Sequence, residues 1–163
     1  MRCMMIQHPF PPLYDANSEI LILGSFPSVK SREQRFFYGH PQNRFWRVLA
    51  AIYASPTPET IEEKKAFLHQ NHVALWDVIA SCEITGSADS SIKNAVANDL
   101  SPILSGSRVA RIFVNGGTAK KLYDRYILPS AGIEATVLPS TSPANAAWSL
   151  ERLIEVWQII NRG

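Results

Sequence analysis

The stretch Glu19-Ile20-Leu21-Ile22-Leu23-Gly24-Ser25 decides the fold. Four aliphatic residues in succession, with nothing polar between them, describe a strand covered on both faces, and Gly24 ends it. Strands of that kind belong to parallel sheets, whose crossovers lay helices over both faces. Three more short apolar runs follow it, at Val73 to Trp76, Arg111 to Val114 and Thr136 to Leu138. Helical signals fill the intervals between them. Phe45, Trp46, Leu49 and Tyr53 recur at helical spacing until Ser55-Pro56-Thr57-Pro58 stops them, and Thr57 to Gln70 continues as a second helix. Ser91 to Leu104, interrupted by Pro102, reads as a third, Thr118 to about Ile127 as a fourth, and Ala146 to Ile160 as the last. The fold class expected is α/β, a three-layer α/β/α sandwich around a mainly parallel sheet.

Such sheets bind ligands beyond the carboxyl ends of their strands, which here are Gly24, Asp77, Asn115 and Pro139. The loop from Ser25 to Gln42 is too long and irregular for a mere connector, so it is a candidate functional loop. Ser81 to Ser91, with Gly86 and several hydroxyl side chains, reads as a second loop, and Pro139 to Asn145 as a tight polar one.

At 163 residues, 46% hydrophobic and 18% charged, the chain is expected to form one domain, residues 1–163, with residues 1–18 as an extended segment packed on it. A net charge of +2 excludes the histone-like class that coats nucleic acid through a global basic excess. Any DNA contact must be local. Basic residues do gather at Lys30, Arg32, Arg35, Arg44 and Arg47, and again at Arg108, Arg111, Lys120, Lys121 and Arg125, where a solvated face is the competing explanation. Cys3 and Cys82 are far apart and form no Cys-x-x-Cys pair, so neither zinc nor an iron–sulfur cluster is indicated, and no cofactor is expected. His8, Pro9, Pro11 and Pro12 break any signal-peptide core, and no window is long enough to span a bilayer. A soluble, cytoplasmic, monomeric protein is expected.

The residues from Gly24 to Trp46 concentrate aromatics, amides and a histidine: Gly24-Ser25-Phe26-Pro27-Ser28, then Phe37-Tyr38-Gly39-His40-Pro41-Gln42-Asn43-Arg44-Phe45-Trp46. Flat bases are held by stacking on aromatic faces and identified by amide or backbone hydrogen bonds, so Phe26 and Tyr38 suit a flipped-base pocket, with a loop held down by its own aromatics as the competing explanation. Helical patterning assigns Phe45 and Trp46 to the core instead. Asp77 can accept a hydrogen bond from a base N–H, serve as a base toward water, or simply cap a helix or join a salt bridge. Asn115 can read a base edge or form a turn. His40 can contact a phosphate, assist a leaving base or hold its loop.

A Gly-Ser-Phe-Pro-Ser turn followed by His-Pro-Gln-Asn-x-Phe-Trp resembles the first motif of the uracil-DNA glycosylase superfamily, most of all its hypoxanthine-DNA glycosylase branch. The resemblance extends through Leu75-Trp76-Asp77-Val78, the Gly86 to Ser91 segment, Val114-Asn115-Gly116-Gly117 and Ser140-Thr141-Ser142-Pro143-Ala144-Asn145. It implies a central four-stranded parallel sheet, a base pocket at its carboxyl edge, and hydrolysis of an N-glycosidic bond in DNA carrying a deaminated base. That branch lacks the amide or carboxylate that relatives carry in the first turn, where this chain has Phe26. The resemblance therefore moves the catalytic amide to Asn43. Asparagine there is also a favoured helix N-cap.

Bond breaking leaves positive charge on the deoxyribose, which an amide oxygen or carboxylate facing the ring stabilises while it orients a water. Asn43 and Asp77 are the catalytic candidates, and Phe26, Tyr38, His40 and Asn115 the base-binding ones. Ser140, Ser142, Ala144 and Asn145 are expected against DNA, Ala144 and Asn145 in the space left by the flipped nucleotide, with a Ser/Thr cap for the last helix as the compatible structural role. Ser28, Lys30 and Arg44 complete the DNA contacts, the last two as phosphate ligands. A Schiff base on Lys30 would make the enzyme a lyase; the preferred reading is monofunctional and metal-independent. Removal of uracil or thymine from mismatches is the near alternative, and a non-catalytic nucleotide- or damage-binding domain the distant one.

Overall fold

The computed structural model describes residues 5–162. Cys3 and the first four residues of the N-terminal segment lie outside the described residues. The four apolar runs form strands β2 (Ile20–Gly24), β3 (Val73–Asp77), β6 (Arg111–Asn115) and β7 (Ala135–Leu138) of one parallel sheet in the order β3-β2-β6-β7. Every position of β2 and β3 is buried, so both faces of the sheet's centre are covered, as an apolar run without alternation requires. The register sets Gly24 beside Asp77 and Asn115 beside Leu138, which brings the carboxyl ends to one edge.

The helices are α1 (Val29–Gln34), α2 (Phe45–Ile52), α3 (Ile61–Gln70), α4 (Ser101–Gly106), α5 (Gly117–Tyr126), α6 (Leu128–Ala131) and α7 (Leu150–Trp157). A capping box explains why α3 starts where it does: Thr60 takes the Glu63 N–H at 3.1 Å, and the Glu63 carboxylate takes the Thr60 N–H at 2.9 Å. The expected helix from Thr57 is thus shorter at its start. α2 and α7 pack on each other, with Phe45 edge-on to Trp157 at 6.0 Å and the Trp157 Nε1–H donating to the Pro139 carbonyl at 2.9 Å. That bond ties the last helix to the loop after β7. Among the described residues no helix is long and apolar enough to cross a membrane.

A second sheet departs from the sequence reading. β1 (Met5–Gln7), β4 (Ile79–Glu83) and β5 (Lys93–Ala97) form an antiparallel sheet in the order β1-β4-β5. The helix expected from Ser91 to Leu104 is therefore a strand followed by the short α4, and the loop expected from Ser81 begins inside β4. The N-terminal segment is more than packed: it contributes β1, and Leu13 pairs with Leu75 of the main sheet. Only Val78 separates β3 from β4, so the small sheet grows directly out of the carboxyl edge. Cys82, in β4, is fully buried.

Candidate active site

The carboxyl edge of the parallel sheet opens into a cavity of about 430 Å³, a volume typical of small-ligand sites. Phe26 and Ser28 enter it from the loop after β2, Tyr38, His40 and Asn43 from the approach to α2, and Asp77 and Asn115 from the ends of β3 and β6. Ser140, Ser142 and Ala144 close the remaining side from the loop after β7. Ten of the thirteen expected site residues, the ones just named, thus share one cavity; Lys30, Arg44 and Asn145 are not part of its lining.

Asn43 stands at the entry to α2 and lines the cavity. The N-cap of α2 is Arg44, one residue later than expected, and Asn43 Oδ1 instead closes an Asx turn by accepting the Phe45 N–H at 2.9 Å, which holds the amide at the cavity wall. The second lone pair of that oxygen is free of any bond to the described residues. The turn before it is tight: Asn43 N–H donates to the His40 carbonyl at 3.0 Å, and His40 Nδ1 accepts the Gln42 N–H at 3.1 Å. His40 is therefore held by its own loop while lining the cavity.

Tyr38 stacks on Phe45, ring centroids 3.9 Å apart. Its backbone has φ of 51°, in the left-handed region that a bulky residue adopts only when its surroundings hold it there. The hydroxyl is buried without a geometrically sound hydrogen bond to any described residue. Burial raises its pKa above the ordinary tyrosine value, the Asp77 charge adds to the rise, and the Asn115 amide acts in the opposite direction. It is a neutral hydroxyl at physiological pH.

Asp77 is buried, and its Oδ2 is 2.7 Å from His8 Nε2. Its Oδ1 takes no hydrogen bond from the described residues and lies 2.4 Å from where a side chain on Gly24 would begin. The Tyr38 hydroxyl is 3.3 Å from the same point. A carboxylate oxygen and a hydroxyl thus converge on the bare Cα of Gly24. Asp89 adds a second carboxylate, accepting the Ser25 hydroxyl at 2.7 Å. Although residue 89 as a whole is exposed, crowding of its carboxyl raises the pKa; the Ser25 hydrogen bond lowers it and the Asp77 charge raises it further.

Asn115 is latched to the loop after β7: its Nδ2 donates to Thr141 Oγ1 and its Oδ1 accepts the Thr141 N–H, both at 3.0 Å. Next to it Gly116 has φ of 98°, and a Cβ there would stand 3.2 Å from Ser140 Cβ, so glycine permits the close approach of the two loops. Within the second loop the Ser140 hydroxyl accepts the Ser142 N–H and the Ser142 hydroxyl accepts the Ala144 N–H, both at 3.1 Å. Asn145 turns its amide back to the Ser140 carbonyl. The cap of the last helix is Ser149 rather than a residue of this loop, because α7 starts only at Leu150.

Arg44, expected at a phosphate, turns its guanidinium onto the carbonyls of Ser142 at 2.9 Å, Asn145 at 3.0 Å and Trp148. The side chain next to the catalytic candidate thereby braces the opposite loop. Arg44→Met should lower stability by about 2 kcal/mol, the scale of charge-assisted hydrogen bonds left unmade, and so reduce Tm by about 4–8 °C in a thermal melt. Lys30 is exposed and 3.6 Å from Glu33 on its own helix. Ser28 caps α1 through the Ser31 N–H at 3.2 Å.

Sequence reasoning missed His8, Asp89 and the Thr141 latch. Asp89 lies within a segment noted for its hydroxyls, so its neighbourhood was visible though its role was not. His8 gave no signal beyond its polarity.

Comparison with known proteins bears on the family and the fold. The model of the uracil DNA glycosylase superfamily matches residues 11–161. A hypoxanthine DNA glycosylase of Methanosarcina acetivorans is 37% identical over 159 residues, covering 97% of this chain and 99% of the relative. One from Methanosarcina barkeri is 34% identical, covering 86% and 89%. A Methanosarcina acetivorans protein described as a uracil DNA glycosylase, solved by solution NMR, superposes with a TM-score of 0.79 at 34% identity over 98% of this chain and 100% of its own.

Proposed function

The chain belongs to the uracil DNA glycosylase superfamily, and on that premise we propose that it removes a deaminated base, hypoxanthine foremost, by hydrolysing its N-glycosidic bond in DNA. The observation that carries this reading is the Asn43 amide, fixed by Phe45 on the wall of a cavity whose inner end holds Asp77 and Tyr38. The names of the Methanosarcina relatives support hypoxanthine as the base.

Deamination exchanges an amino donor and a ring-nitrogen acceptor for a carbonyl acceptor and a ring N–H donor. A neutral Tyr38 hydroxyl can donate to that carbonyl, and Asp77 Oδ1 can accept from that N–H. Adenine and cytosine present the opposite pattern, whereas guanine and thymine share this edge and differ from hypoxanthine and uracil by a 2-amino and a 5-methyl group. Phe26 supplies an aromatic surface for the extruded base. As the bond to the sugar lengthens, the Asn43 carbonyl oxygen stabilises the positive charge on the ring and orients the attacking water. The Ser140 and Ser142 hydroxyls, which accept within the loop and keep their own hydrogens to donate, hold the flanking phosphates, with Ala144 at the exposed rim. Lys30 is outside the cavity lining, which supports a reaction without a Schiff base.

Uracil offers the same carbonyl and N–H edge, so it is the second substrate to compare. Duplexes containing inosine, uracil, xanthine or only normal bases, incubated with enzyme and then treated with alkali, test the proposal. Alkali-dependent cleavage is expected at inosine, more slowly at uracil, and not at normal bases. No cleavage with any duplex would refute the reading, and a borohydride-trapped adduct would replace hydrolysis by lyase chemistry.

A further inference from the structure

Resting on the glycosylase reading of the cavity, we propose that His8 is the positioning residue for Asp77, fixing one carboxylate oxygen so that the other is presented to the reacting nucleotide. His8 follows β1 and is not part of the cavity lining. Its backbone N–H donates to the Ala80 carbonyl at 2.8 Å, continuing the pairing of β1 with β4. The N-terminal strand thereby delivers a side chain to the back of the carboxyl edge, 69 residues away in sequence from its partner.

The ring lies among Trp76 at 4.4 Å, Phe10 at 4.5 Å, Phe26 at 5.9 Å and Phe37 at 6.4 Å between centroids. Its side chain is 3% exposed and that of Asp77 5%. A carboxylate only accepts, so the 2.7 Å contact assigns the hydrogen to His8 Nε2. Nδ1 is then buried with no hydrogen-bond partner among the described residues. Packing alone does not account for such a residue, since phenylalanine would fill an aromatic nest without an orphaned nitrogen.

Asp77 is what the imidazole serves. The terminal torsion of aspartate is broad, and an untethered carboxylate can turn away from the geometry its chemistry needs. With Oδ2 held by Nε2–H, Oδ1 stands over the bare Cα of Gly24, beside the Tyr38 hydroxyl. His8 therefore acts through Asp77 and touches no substrate.

The test uses single-turnover release of hypoxanthine from an inosine duplex, alongside duplex Kd and thermal melts, for wild type, H8F, H8N, H8Q, D77N and H8F/D77N. Glutamine places its amide nitrogen near the position of Nε2, whereas asparagine reaches only that of Nδ1. Loss of the hydrogen bond in H8F and H8N should slow release about tenfold with duplex Kd nearly unchanged, and H8Q should recover most of the rate. In the D77N background H8F should add less than about a twofold loss, because coupled residues are non-additive. If H8F does not fold, the contrast between H8Q and H8N decides. Wild-type rates in H8F and H8N, an H8Q as slow as H8N, or multiplying losses in the double variant would overturn the inference alone. Absence of release by the wild type would overturn the functional reading and this inference with it.

Discussion

Asn43→Ala is expected to reduce single-turnover base release about 10³-fold, the scale of losing an oriented dipole and a water-positioning group together. The alanine variant removes two things at once, since the same oxygen accepts the Phe45 N–H in the turn that leads into α2. Loss of that hydrogen bond should lower stability by about 1 kcal/mol. That leaves a folded protein. Asn43→Ser separates the effects: a serine hydroxyl can accept the Phe45 N–H in the corresponding turn, yet it has no amide to face the sugar. Wild-type melting with release as slow as the alanine variant is the expected result for serine, measured with an inosine duplex and saturating enzyme. Duplex affinity should change little in either variant, because the missing interaction strengthens only as the bond breaks. Wild-type turnover in Asn43→Ser would transfer the main catalytic role to Asp77.

What could be read from the chain follows the distance over which each signal acts. The parallel strands were legible because Ile20 to Leu23 and their counterparts are buried on both faces, which leaves a local, uninterrupted apolar run. The cavity was legible because each run ends in a residue that breaks the pattern, and the sheet gathers those ends. The antiparallel sheet was hidden. β5 shows an exposed or half-buried residue at every position, so neither strand alternation nor helical spacing marks it. Asn94, at φ of 53°, interrupts it further. Its stability comes from pairing with β4, a partner the local pattern does not name.

The site was read with the same bias. Asn43 carried both a helix-start and a site signal; the helix start lies one residue later, at Arg44, while the Asn43 side chain lines the cavity. Arg44 carried the right charge for phosphate, but its partners are carbonyls about a hundred residues later. His8 stood among prolines and registered only as a break in an apolar segment. Its meaning depends on β1 crossing to β4, which residue type and spacing do not convey. Long-range polar partners are the part of an active site that local patterns omit.

Gly24→Ala is expected to lower release about 10²-fold while the enzyme remains folded, although the change adds a single methyl group. Gly24 is the last residue of β2, its carbonyl accepts the Val78 N–H at 2.8 Å, and neither interaction needs a glycine conformation. Space is the constraint. The new Cβ would stand 2.4 Å from Asp77 Oδ1 and 3.3 Å from the Tyr38 hydroxyl, and the first separation is far inside van der Waals contact. An unrestrained carboxylate would swing aside at little cost, but Oδ2 is held by His8 inside an aromatic nest. Either the His8 bond breaks, or β2 and β3 shift apart at the edge where the base is held. Overpacking of this kind destabilises by about 1–3 kcal/mol, so thermal melting should fall by a few degrees without loss of cooperativity. The rate should fall far more than stability or duplex affinity, because both routes displace Oδ1 and the Tyr38 hydroxyl from the edge of the base. H8F/G24A then tells the routes apart: with the tether gone the carboxylate can yield, and adding G24A should slow release less than it does in the wild-type background. Wild-type release by G24A would mean that Asp77 Oδ1 has no part in the reaction.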